Sequence, residues 1–142
     1  MGRTPWWRLP LSSEPYRCTL FLLLSIPLAV WALIDGGAVQ RRTAHMLVAR
    51  EPARSRVRGL AAVPFDGVAL VVAGYLWLGV VLNLAYPMRP LLGMSGEYRD
   101  SWGGPTLAGA WAVHALGGVA FWLIVSWVLR GYLALWRRIV DG

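Results

Sequence analysis

Three uninterrupted apolar runs, residues 18–34, 68–85 and 106–129, constrain this chain more than any other feature. A helix rises about 1.5 Å per residue, so the first run covers roughly 26 Å, close to the ~30 Å hydrocarbon core of a bilayer. The second borrows length from residues 63–67, and the third is long enough to cross with tilt. Only helices and closed barrels satisfy their backbone in lipid, and these runs are continuous, not alternating, so helices are expected. At 57% hydrophobic residues and a mean hydropathy of +0.51, the chain is too apolar for an ordinary soluble domain. The expected fold is all-α: a single transmembrane domain over 1–142 with spans at about 18–34, 66–86 and 106–129.

A cleaved leader fits the first run poorly. Its apolar core exceeds the usual length, Pro27 and Trp31 sit within it, and Asp35 spoils the cleavage site. All fourteen basic residues are arginine. They sit beside the apolar runs, where anionic headgroups account for them better than nucleic acid does. The single cysteine, Cys18, excludes an intramolecular disulfide and any CxxC site, and reads as a small apolar residue at a helix end.

The arginines orient the spans. With three crossings, Arg3, Arg8, Arg17, Arg89 and Arg99 share one side. The other nine (Arg41, Arg42, Arg50, Arg54, Arg56, Arg58, Arg130, Arg137 and Arg138) share the opposite side. The positive-inside rule then predicts an outside N-terminus, with the 35–63 loop and the C-terminus cytoplasmic. The three N-terminal arginines pull the other way, and a first run acting as a re-entrant wedge bent at Pro27 would leave the N-terminus inside. Trp6, Trp7, Trp102, Trp127 and Trp136 fall at span ends as interfacial anchors, while Trp77, Trp111 and Trp122 lie deeper.

The first and third runs end alike. Residues 31–42 align on 127–138 with identities at Trp31/Trp127, Leu33/Leu129, Ala38/Ala134, Arg41/Arg137 and Arg42/Arg138. Each is expected to continue as a short amphipathic cytoplasmic helix, over 38–49 and 130–140. In the second, Tyr132, Leu135, Trp136 and Ile139 form an apolar stripe; in the first, Val39, Met46 and Leu47 oppose Arg41 and His45. Basic amphipathic helices beside a membrane lie in its interface.

Three stretches carry a family resemblance: Leu23-Leu24-Ser25-Ile26-Pro27-Leu28 followed by 38–48, Val63-Pro64-Phe65-Asp66-Gly67-Val68, and Leu129-Arg130-Gly131-Tyr132-Leu133-Ala134. Over residues 18–140 the chain resembles the sensor-domain family of actinomycete membrane proteins, often fused N-terminal to histidine kinases. That family is built from two helical hairpins, each followed by an Arg-rich amphipathic stretch. Here the first helix of the first hairpin is missing, and no kinase, ATPase or DNA-binding segment follows Gly142. The resemblance implies a sensor-like module whose output comes from another chain, and it carries over no ligand or catalytic residues.

His114 is the sharpest candidate for function, because an ionisable residue within a span is costly and tends to be functional. Its expected partner is a neighbouring helix or Asn83 in the second span. Asp66 suits the positive end of a helix dipole, and Asp35 a local ion pair. Gly104, Ala108 and Ala112 recur every four residues, a small-residue stripe permitting close helix approach within the chain or in a dimer. The 87–105 connection is rich in Gly and Pro; its Arg89, Arg99, Glu97 and Asp100 cancel in charge, and Tyr98 and Trp102 offer recognition surface. No phosphate loop, HExxH or GxSxG motif is present, and two distant histidines make no metal site. A non-enzymatic module without cofactor or metal is therefore expected. Its partners would be the bilayer, a membrane protein or histidine kinase, and a second copy of itself, but not nucleic acid. The alternative is an accessory subunit stabilising a transporter or other membrane complex.

Overall fold

The computed structural model describes residues 5–48, 62–94 and 98–141. Arg3, Arg50, Arg54, Arg56, Arg58 and Glu97, and the side chains of Trp6, Arg137 and Ile139, lie outside that description. Every regular element among the described residues is helical: α1 (Glu14–Asp35), α2 (Ala38–Val48), α3 (Val63–Leu84) and α4 (Leu107–Asp141), with 3-10 turns at Trp6–Arg8 and Tyr86–Leu92. Helices α1, α3 and α4 are each long and apolar enough to cross a membrane, as a multi-pass membrane protein requires.

Local chemistry sets the helix limits. The Ser12 hydroxyl accepts the Glu14 N–H at 3.3 Å, and Pro15 occupies the first turn of α1, where its missing N–H costs nothing. Gly36 and Gly37, at φ 76° and 82°, take the left-handed conformation that ends α1. Asp35 then caps the start of α2: its carboxylate accepts the N–H groups of Gly37 at 2.7 Å and Val39 at 2.9 Å. The Asp35 carboxylate thus caps α2, and Arg41 donates to the Gly36 carbonyl at 2.9 Å.

The repeat diverges at this point. The glycine pair separates α2 from α1, whereas Tyr132 and Leu133, at the matching places, stay helical and α4 runs on to Asp141. The segment expected as a second short helix over 130–140 is therefore the end of a 35-residue one.

The chain packs as two compact units, Met1–Ala73 with Ser126–Gly142, and Gly74–Val125. In the first, α1 meets the end of α4. The Cys18 thiol lies 3.9 Å from the Leu129 carbonyl, Arg130 pairs with Glu14 at 3.1 Å, and Phe21 meets Trp136 edge-on at 5.9 Å. Arg17 donates to the Met46 carbonyl, tying α2 back to the start of α1. These contacts bring together chain ends that the expected topology sets apart. Cys18 and Leu129 were to lie on opposite faces of a ~30 Å core, and groups so separated cannot touch.

The stripe on the end of α4 is likewise core rather than interface. Among its described side chains Tyr132 and Trp136 are buried, as is Leu133 beside them, with Phe65 stacked on Tyr132 at 5.3 Å, and Leu135 is exposed. An aromatic face this large is covered by neighbouring helices before it meets lipid.

In the second unit the small residues that allow close approach are not the expected ones. Gly104 precedes α4, and Ala108 and Ala112 are exposed. Instead Gly79 faces the Phe121 ring, Gly117 faces Asn83, and Gly118 faces Leu84. Gly109 lies against the backbone of Gly103, whose φ of 83° turns the connection onto α4. Within the chain, close approach between α3 and α4 thus rests on Gly79, Gly117 and Gly118.

Candidate functional site

Within Gly74–Val125 the end of α3, the first turns of α4 and the segment joining them line an open cavity of about 530 Å³. Helix residues Asn83, Val113, His114 and Gly117 supply one part of its wall, and Tyr86, Arg89, Asp100, Ser101 and Trp102 the other. Gly117 leaves the room: a side chain there would begin 3.2 Å from the Asn83 amide oxygen. The Trp111 indole N–H donates to the Leu84 carbonyl at 3.2 Å, joining α4 to the end of α3 beside this site.

His114 and Asn83 therefore share one cavity, but each is anchored on its own helix. The Asn83 amide donates to the Gly79 carbonyl at 2.7 Å, and His114 Nδ1 lies 2.8 Å from the Ala110 carbonyl. A carbonyl only accepts, so the proton sits on Nδ1 and leaves Nε2 as an acceptor in the neutral ring. The expected bond from His114 to another helix is replaced by ring contact: Tyr86 stacks on the imidazole at 3.8 Å with 21° between planes.

Tyr86 organises the polar wall, and the sequence reading passed over it. The chain turns from α3 into the 3-10 segment Tyr86–Leu92, primed by prolines at 87 and 90, which places Arg89 one turn beyond Tyr86. Arg89 donates to the Tyr86 hydroxyl at 3.2 Å and lies 5.1 Å from its ring centroid. A hydrogen bond with Ser101 draws the Tyr86 phenol below its ordinary pKa; burial opposes this, and Arg89 adds to the lowering. A Tyr-Pro pair directly after a span was the available signal. Arg89, Asp100 and Trp102 were legible as charges and recognition surface on the connection. What the sequence did not convey was that they face His114.

A second polar cluster lies in the other unit. Asp66, in the first turn of α3, is 2% exposed, and the Tyr132 hydroxyl donates to its Oδ1 at 2.7 Å. Asp66 is thus at the favourable end of the helix dipole, as its position suggested. Its side chain also ties α3 to the aromatic face of α4. Among the described residues, no group of His, Cys, Asp and Glu is placed to hold a metal ion.

Comparison of the chain with protein-family models, with curated proteins and with solved structures finds no match.

Proposed function

We propose that this chain is a non-enzymatic, sensor-like regulatory membrane module acting through a partner protein, and that the cavity beside His114 is where its signal is read. The observation that carries this reading is the convergence of two polar residues from apolar helices, His114 and Asn83, on one cavity completed by Tyr86, Arg89, Asp100, Ser101 and Trp102. Such residues are costly within a span, and a cavity of several hundred Å³ suits a small molecule. The groups are arranged for binding. Ser101, His114 and Asp100 share the wall, yet His114 Nδ1 faces the Ala110 carbonyl and not the Asp100 carboxylate, which is not a hydrolytic relay.

In the same proposal, the start of α1 and the end of α4 share the cytoplasmic face. The Glu14–Arg130 pair and the Cys18–Leu129 contact support this. So does the charge pattern: twelve of the fourteen arginines then fall on one side, with only Arg89 and Arg99 opposite. On this reading α1 does not cross the membrane. It folds with α2 into a hairpin closed at Gly36 and Gly37, with Leu23, Val30, Leu33 and Ile34 offered to the lipid boundary.

The test is capture of the tagged chain in mild detergent, identification of the co-purifying protein, and assay of that protein's output with His114→Ala and Asn83→Ala variants. An altered output at unchanged accumulation is expected. Silent variants, in a chain whose deletion makes a membrane complex fall apart, would replace this reading with an accessory subunit.

A further inference from the structure

We infer that the cavity beside His114 takes a zwitterion, a small group carrying an ammonium and a phosphate or carboxylate. This rests on the cavity being the signal site proposed above, and it names what that site would recognise. The wall holds one fixed cation and one fixed anion, Arg89 and Asp100. Among the described residues the two do not pair with each other. Arg89 spends one N–H on the Tyr86 hydroxyl, and that contact holds the guanidinium over the ring with further donors left for an anion.

The acceptors suit the other end of the ligand. The Asp100 carboxylate, the His114 Nε2 lone pair and the Asn83 amide oxygen accept without donating, as an ammonium requires. The His114 tautomer follows from its Ala110 contact, and the Asn83 orientation from its donation to Gly79. Trp102, 81% exposed, adds an aromatic face for a cation in the same cavity. A lone anion would leave Asp100 opposing it, and a lone cation would meet Arg89. A ligand of zero net charge with both ends satisfies the wall. An aminophospholipid headgroup and a soluble amino compound share this chemistry.

The test uses the full chain purified in detergent, with calorimetric titration and native mass spectrometry. Probes are short-chain phosphatidylethanolamine, free phosphoethanolamine, alanine, short-chain phosphatidylglycerol, inorganic phosphate and ethylamine. At least one zwitterion is expected to bind at least about tenfold tighter than each probe carrying charge of one sign only, since a hydrogen bond to a charged group contributes about that much. Preference for the short-chain lipid over phosphoethanolamine and alanine points to a headgroup as the source, and the reverse to a soluble compound.

Arg89→Gln and Asp100→Asn should each weaken binding about tenfold or more with helicity unchanged. Asp100 is exposed, so its variant stays informative if Arg89→Gln fails to fold. Equal binding of phosphatidylglycerol, no zwitterion binding, or indifference to Asp100→Asn would overturn the assignment. An effect of His114→Ala on partner output without zwitterion binding would overturn this inference alone. Zwitterion binding with a silent His114→Ala would uphold it and remove the sensor reading.

Discussion

Replacing Tyr132 with phenylalanine isolates the bond that joins α3 to the end of α4. The ring and its 5.3 Å stack on Phe65 are retained, and only the hydroxyl that donates to Asp66 at 2.7 Å is lost. Asp66 is 2% exposed, so water does not replace that donor. A bond of this kind contributes about 1.5–3 kcal/mol when its acceptor is charged. We therefore expect Tyr132→Phe to lower unfolding free energy by about 2 kcal/mol, or roughly thirtyfold in the unfolding constant.

Titration with a denaturing detergent in mixed micelles, followed by circular dichroism, measures this change. Tyr75→Phe serves as control: Tyr75 is 68% exposed, and its substitution should cost less than about 0.5 kcal/mol. A double-mutant cycle with Asp66→Asn should return a coupling of about 1 kcal/mol or more, because the two groups touch. Wild-type stability in Tyr132→Phe, or additivity with Asp66→Asn, would refute the reasoning.

Gly103→Ala places a Cβ at φ 83° against Val113 and the Gly109 backbone, and should cost at least about 1–2 kcal/mol in thermal or detergent unfolding. An unchanged transition would mean that the connection does not seat on α4 as described. Gly117→Leu grows a side chain toward Asn83 and into the cavity; zwitterion binding should fall about tenfold or more while helicity holds, and undiminished binding would put the ligand elsewhere. The Glu14–Arg130 pair is partly exposed at 34% and 27%, so Glu14→Gln should change stability by less than about 1 kcal/mol, and a larger loss would show a far drier pair. In a Cys18→Ser background, an impermeant thiol reagent applied to intact cells should label Met94→Cys and spare Ser12→Cys. Labelling at position 12 would restore an outside N-terminus.

How far the fold was legible varies from element to element. The expected spans at 18–34 and 66–86 match α1 at Glu14–Asp35 and α3 at Val63–Leu84, because apolar length is local and additive along the chain. The third was underestimated. Arg130, Arg137 and Arg138 read as the end of a span, yet α4 continues through them because tertiary contact buries Tyr132, Leu133 and Trp136. His114 and Asn83 stood out as polar residues in apolar runs, but nothing in their spacing pointed to the stacking of Tyr86 on the imidazole.

The sequence by itself determined helical class and the three apolar segments. These follow from hydropathy and backbone sterics, which each residue carries wherever it stands. Tertiary structure decided which ends meet. Cys18 touches Leu129 and Glu14 pairs with Arg130, although arginine counting over three crossings had separated them. Charge counting assumes that every apolar run crosses; only packing shows whether two ends share a side, because contact is a property of pairs far apart in the chain.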